Sequence, residues 1–264
     1  MMRAGSALSL LLLAGCAGLD SRPGVFDASR QDIVVGGRTY HATYVKPSAP
    51  GSRRPLIALF TGDAGWLGTS GMLLEHLADA GYPVAGFDSR EALKPVRQSG
   101  DKVSASWAAD ALEEAYAKAK SDLGLPAATR LLVVGFSRGA TVVAFTAVHP
   151  RLREGLAGAI AIALTRESDF LKARDPADRP PEVQVDDKGR IQLYPSLGLI
   201  GSIPLAVIQS TRDRYVPSAE SRRLLGPDTP TRRLYEVEAR NHGFSGGEEI
   251  LLRDLDDALR WIGP

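Results

Sequence analysis

An apolar run, Leu131-Leu132-Val133-Val134, breaks off at Gly135-Phe136-Ser137-Arg138-Gly139 and gives way at once to small residues, Ala140-Thr141-Val142-Val143-Ala144. A short continuous apolar run suits a strand buried on both faces. The small residues behind it suit a helix lying close on that strand. A strand that turns straight into such a helix belongs to a βα unit, and parallel neighbours need helical crossovers of this kind. This one segment argues for a layered α/β fold before any other residue is read.

The rest of the chain repeats the unit. Asp32–Val35 and Thr39–Val45 flank Gly36-Gly37, a hairpin signal that places an antiparallel pair at one sheet edge. Leu56–Phe60, Val84–Phe87, Ala157–Leu164, Leu205–Gln209 and Arg233–Val237 read as further strands. Helices are expected from Ser70 to Gly81, from Ser106 as a cap along Ala108, Ala111, Leu112, Ala115 and Ala119, over Gly139–Val148, and over Glu248–Trp261. The fold class expected is therefore α/β, three layers, with a mostly parallel sheet and an antiparallel N-terminal hairpin. Thr165 to Ser202 breaks the rhythm, being rich in charge and proline, and an insertion of that length suits a lid or binding loop.

Gly135–Gly139 matches the G-x-S-x-G nucleophile elbow, in the strand–turn–helix setting which that motif requires. Side chains at Gly135 and Gly139 would collide with backbone, and the tight turn pushes Ser137 out at the carboxyl edge of the sheet, where open α/β folds bind ligands. A nucleophilic serine needs a base. Of four histidines, His41 lies in the opening hairpin, His76 lies within a helix and His149 ends one. His242 falls in Arg240-Asn241-His242-Gly243-Phe244-Ser245-Gly246-Gly247, after the last strand, and the Ser245/Glu248 spacing suggests a capping box just beyond it. The acid is expected after the intervening strand, at Asp213 in Ser210–Pro217, with Asp228 as a weaker rival that no strand feeds. The oxyanion hole is expected from the N–H of Arg138 and one from Asp63 or Ala64, in the loop Thr61–Trp66. The Asp63 carboxylate has three readings: receiver of a cationic part of the substrate, cap of the following helix, or partner of Arg138.

The order Ser137, Asp213, His242 resembles that of α/β-hydrolases. Phe60-Thr61-Gly62-Asp63-Ala64-Gly65-Trp66, Val84-Ala85-Gly86-Phe87-Asp88-Ser89 and the elbow further resemble the bacterial virulence protein family VirJ/AcvB, roughly from Pro55 to Gly243. The resemblance departs at Arg138 and throughout Thr165–Ser202, both substrate-facing. It implies an exported protein of the cell envelope, Ser137, Asp213 and His242 as a triad, and links to type IV secretion proteins or to hydrolysis of aminoacylated phospholipids.

The amino end fits export. Met1-Met2-Arg3 precedes an apolar run through Leu8–Ala14, too short to span a bilayer. Leu13-Ala14-Gly15-Cys16 resembles a bacterial lipobox, which implies cleavage before Cys16 and lipidation of its sulfur, the only cysteine in the chain. Ala17 carries no retention signal for the inner membrane, so the expected place is the periplasmic side of the envelope, at the outer membrane. The expected organisation is a signal peptide over 1–15, a lipidated tether over 16–30, and one hydrolase domain over 31–264 with a candidate lid at 165–203.

Composition narrows the partners. With 264 residues, 44% hydrophobic, the chain can bury one sizeable core. Lys+Arg at 32 against Asp+Glu at 31 leaves a net charge of +1, which gives nucleic acid no handle. No metal-ligand spacing or nucleotide loop is present, and no metal or cofactor is expected. The expected function is a serine hydrolase acting on a small-molecule or lipid ester, the membrane being reached through the anchor. The alternatives are a peptidase, since Asp213-Arg214-Tyr215-Val216-Pro217 resembles the acid loop of prolyl-oligopeptidase-like proteins, and a non-catalytic secretion accessory.

Overall fold

The computed structural model describes residues 28–46, 54–91, 105–172 and 183–263. Its strands are β1 (Ala28–Val35), β2 (Arg38–Val45), β3 (Leu56–Phe60), β4 (Val84–Phe87) and β5 (Leu131–Phe136). They continue with β6 (Leu156–Ile162), β7 (Glu167–Lys172), β8 (Arg190–Gln192), β9 (Leu205–Ser210) and β10 (Arg232–Val237). The helices are α1 (Thr69–Asp79), α2 (Ala105–Asp122), α3 (Arg138–Val148), α4 (Pro150–Arg153), α5 (Leu193–Ser196), α6 (Ser218–Leu225) and α7 (Glu248–Ile262). The segment expected as a signal peptide and the expected lipidation site Cys16 lie outside the described residues.

One eight-stranded sheet runs in the order β1-β2-β4-β3-β5-β6-β9-β10. β1 pairs antiparallel with β2, and β2 antiparallel with β4, while every pairing from β4 to β10 is parallel. Gly36 and Gly37 both take positive φ, as the tight hairpin turn demands. The hairpin is longer than its sequence pattern suggests. β1 starts at Ala28 instead of Asp32, because Ala28, Ser29 and Arg30 find partners in Val45, Tyr44 and Thr43. These three residues, expected in the tether, thus belong to the sheet. Backbone pairing extends an edge strand without needing apolar side chains, so hydropathy did not mark it.

Alternation of side chains along the strands explains the layers. Leu56, Ala58 and Phe60 of β3 face the core that holds α2 and α3, while Ile57 and Leu59 face the one that holds α1 and α7. β5 divides likewise, with Leu131 and Val133 on one side and Leu132, Val134 and Phe136 on the other. The helices answer with single stripes: Leu73, Leu74, Leu77 and Ala78 on α1, and Leu251, Leu255, Ala258 and Leu259 on α7. Ser106 lies inside the first turn of α2, not at its cap.

The stretch expected as a lid is partly described, and that part is tied to the body. β7 and β8 form a small antiparallel pair. Beyond them Leu193, Tyr194, Leu197 and Ile200 are buried in the same core as α3. The Tyr194 hydroxyl bonds Ser221 Oγ at 2.9 Å, joining this segment to α6. Among the described residues no helix is long and apolar enough to cross a membrane.

Strand order positions the site. The chain passes from β3 to β4 on one side, then crosses back to β5 on the other, so a crevice opens at the carboxyl ends of β3 and β5. α3 descends from that point so close to β3 that a Cβ on Gly139 would lie 2.1 Å from the Phe60 carbonyl oxygen. Gly139→Ala is therefore expected to lower unfolding free energy by about 1–3 kcal/mol in urea titration. Gly155→Ala meets no heavy atom within 4 Å, and is expected to stay within roughly 0.5 kcal/mol of the parent.

Candidate active site

Ser137 joins β5 to α3 at φ 55° and ψ −113°, a backbone conformation that L-residues rarely adopt. The neighbours over-determine it. Its N–H donates to the Ile162 carbonyl at 2.8 Å, and the Ala140 N–H returns to its own carbonyl at 2.9 Å. A Cβ on Gly135 would stand 2.3 Å from the Gly139 oxygen, so the turn closes only with glycine there. The side chain is left at the rim, at the amino end of an eleven-residue helix whose dipole favours negative charge.

Three distant side chains meet there. The Ser137 hydroxyl lies 2.7 Å from His242 Nε2, and His242 Nδ1 lies 2.6 Å from Asp213 Oδ2. An ionised carboxylate only accepts, so Nδ1 carries the proton and Nε2 presents its lone pair to the serine. The Asp213 side chain is fully buried and that of His242 is 15% exposed. A buried carboxylate is tolerated when its oxygens are bonded. Asp213 Oδ1 accepts the N–H groups of Tyr215 at 2.8 Å and Val216 at 3.4 Å, and Oδ2 accepts Gln209 Nε2 at 3.1 Å besides the imidazole.

Gln209 was missed by the sequence reading. It is fully buried, and its amide also takes the Leu164 N–H at 3.0 Å and donates to the Val216 carbonyl at 2.5 Å. A polar residue that ends an apolar strand four positions before the acid was the available signal. Two rings also went unread. Phe136 lies 5.6 Å from the imidazole, centroid to centroid, and Tyr215 meets it edge-on at 4.8 Å.

The His242 loop is built differently from the expectation. Gly247 caps α7 without a side-chain bond, so Ser245 and Glu248 form no capping box. Glu248 is instead the first helical residue, and backbone N–H groups of the helix start hold its carboxyl below the ordinary range. Asn241 organises the turn, its Oδ1 accepting the Gly243 and Ser245 N–H groups at 3.0 and 3.2 Å. Thr69 on α1 donates to the Gly243 carbonyl at 2.9 Å, and Phe244 is wholly buried at φ 62°. The imidazole is thereby mounted on a fixed loop.

The remaining candidates fall as follows. Gly62 runs against the elbow, where a Cβ would lie 3.2 Å from Ser137 Cβ. Thr61, Gly62 and Gly65 donate their N–H groups to Phe87 O, Ser70 Oγ and Gly62 O, and Asp63 and Ala64 occupy the turn between them. The Asp63 carboxylate pairs with the Arg138 guanidinium through Nε and, at 3.1 Å, through Nη2. Of its three readings, pairing with Arg138 is the one the structure displays. Asp228 pairs with Arg222 at 2.5 Å and takes the Leu234 N–H, while His41 and His76 face Asp32 and Asp256. His149 closes α3, and burial, reinforced by Arg151, pushes its imidazole below the ordinary value. Among the described residues no cluster of three or more histidine, cysteine or acidic side chains is placed to hold a metal ion.

No protein-family model and no curated protein matches the sequence. Solved structures do. Est1E from Butyrivibrio proteoclasticus is 17% identical, with a TM-score of 0.61 over 89% of this chain and 99% of that one. The Pyrococcus furiosus esterase Pf2001 is 17% identical, with a TM-score of 0.61 over 90% and 94%. XC6422 from Xanthomonas campestris, described as an α/β serine hydrolase without a lid, is 16% identical, with a TM-score of 0.58 over 90% and 96%. At such identity the likeness speaks for architecture and not for chemistry: this chain has the α/β-hydrolase fold.

Proposed function

We propose that the protein is a serine hydrolase that cleaves carboxylic esters through an acyl-enzyme. The observation that carries this reading is the unbroken series Ser137 Oγ, His242, Asp213, with 2.7 and 2.6 Å between its members. His242 Nε2 takes the hydroxyl proton as Ser137 Oγ attacks the ester carbonyl. Asp213 stabilises the imidazolium, and the N–H of Arg138 with one from Asp63 or Ala64 holds the oxyanion. Collapse expels the alcohol, which receives the proton from His242. Water, deprotonated by the same imidazole, then releases the acid and restores Ser137.

The substrate reading starts from the other end of the chain. A lipid on Cys16 would place the domain at the outer membrane, where esters of the bilayer lie within reach. The likeness to the VirJ/AcvB pattern favours aminoacylated phospholipids and a neighbourhood of secretion proteins. Neutral p-nitrophenyl esters are the first substrates to offer, and aminoacyl phospholipid vesicles the second.

A fluorophosphonate probe is expected to label the wild type and to leave Ser137→Ala unlabelled; equal labelling of both would end the catalytic reading. On p-nitrophenyl acetate, Asp213→Asn is expected to lower kcat about 10⁴-fold, because Nδ1 loses the acceptor that fixes its tautomer. Gln209 is a positioning residue that acts through Asp213. Gln209→Ala leaves the Leu164 N–H buried without its partner and is expected to cost about 1–3 kcal/mol in unfolding free energy. It should lower kcat with KM little changed, whereas an unaltered kcat would mark a purely structural residue.

A further inference from the structure

Two rings border the His242 imidazole, and they differ in exposure. Phe136 is buried at 5.6 Å, whereas Tyr215, edge-on at 4.8 Å, is 48% exposed. Tyr215 is thus the ring that flanks the imidazole where solvent enters. The acid's own turn fixes its place. The Tyr215 N–H donates to Asp213 Oδ1 at 2.8 Å, and Val216 behind it is wholly buried. In ester cleavage by this site, the imidazole gives its proton to the departing alcohol, which must then lie beside it. The alcohol half of an ester therefore has Tyr215 as a neighbour.

The outer end of that ring offers donors. The Arg214 guanidinium carbon lies 4.7 Å from the Tyr215 ring centre, and Nη2 donates to the phenolic oxygen at 2.6 Å. Since the phenol accepts there, its own proton is left for another acceptor, and none bonds it among the described residues. Arg214 is exposed and has no ion pair among the described residues, unlike Arg138, which is answered by Asp63. Arg212, across Asp213 in the same turn, is likewise exposed and without a side-chain bond among them. The Asp213 oxygens are taken by the imidazole, the Gln209 amide and two backbone N–H groups. A guanidinium presents five N–H donors in a planar fork, which matches a carboxylate or phosphate through two parallel bonds.

We propose that Arg214 and the Tyr215 hydroxyl form a specificity subsite for an anionic oxyacid group, carboxylate or phosphate, on the alcohol half of the substrate. The subsite rests on the reading of the chain as an ester hydrolase. It binds and orients the alcohol half, with the Tyr215 ring along its body, and takes no part in making or breaking bonds.

Meta-substituted phenyl acetates test it, because one ring then separates the ester oxygen from the anion. The measure is kcat/KM for 3-acetoxybenzoate, and for 3-acetoxyphenyl phosphate, each divided by that for neutral 3-acetoxybenzamide. Arg214→Gln is expected to lower the ratio for at least one anion about two- to fivefold, and Arg214→Glu to lower it further. Tyr215→Phe keeps the ring, and should also lower it. Raising sodium chloride to about 0.5 M should shrink the wild-type ratio. A guanidinium that only covers Tyr215 would slow all three esters alike, so unchanged ratios in both Arg214 variants overturn the proposal. Titration calorimetry of the intact esters into Ser137→Ala supplies a readout without turnover. Tighter binding of an anionic ester than of the benzamide, lost on adding Arg214→Gln, is expected; equal binding overturns the subsite. If the wild type turns over none of the esters, the hydrolase reading fails, and this binding comparison still decides the subsite.

Discussion

A strand that ends under a serine and a helix that starts from it can approach each other only as far as the flanking side chains permit. Here there are none: a Cβ at Gly135 would meet the Gly139 oxygen, and one at Gly139 would meet the Phe60 oxygen. The consequence reaches beyond the turn. With α3 pressed onto β3, the backbone of Ser137 is forced to φ 55°, a state that costs of order 1–3 kcal/mol and persists only when its surroundings fix it. The hydroxyl is thereby presented at the point where the chain reverses its direction across the sheet. The loops after β3, β9 and β10 all emerge on that same edge, which is why a serine, a carboxylate and an imidazole so far apart in sequence can meet.

Meeting is not sufficient, because Asp213 is fully buried and its charge must be answered by the protein itself. Two backbone N–H groups of its own turn, the Gln209 amide and the imidazole supply four donors. The turn donors lock the carboxylate's position, and Gln209 locks its orientation from the strand beneath. Only Oδ2 is left directed at His242, which sets the tautomer and sends the Nε2 lone pair toward Ser137. The pair is thus a matter of orientation more than of raw stability, since a buried charge pair seldom stabilises a fold by much.

The parts legible in the sequence were those governed by local rules. Continuous apolar runs marked β3, β4, β5, β6 and β9, because a strand covered on both faces has no polar side. Glycines at Gly135 and Gly139 marked the elbow, because no other residue fits there. Chain order then picked Asp213 and His242 from few candidates. What escaped reading depends on tertiary partners. The first residues of β1, Ala28, Ser29 and Arg30, form no apolar run and are recruited by pairing with β2. Gln209 looks like a strand end until Asp213, Leu164 and Val216 fold around it. Ser245 and Glu248 have capping spacing, yet Asn241 takes over the turn and Gly247 the cap, so spacing alone misassigned them.

Arg138 shows why a residue's position and its side chain can answer different demands. As the residue after the serine it was read for its N–H, and its side chain only as one of three readings of Asp63. Its side chain is only 9% exposed, and it crosses to Asp63, which is 64% exposed, on the neighbouring loop. An acidic side chain beside a forming oxyanion would oppose the helix dipole that favours it. The guanidinium cancels that opposition locally, so the loop can keep an aspartate there without a net negative charge. The same bridge ties the turn after β3 to the first residue of α3. If Arg138 and Asp63 or Ala64 supply the two oxyanion donors, the ion pair between their side chains sets the separation of those donors. The geometry for the transition state is then built into the ground state, with no reorganisation left for the moment of reaction.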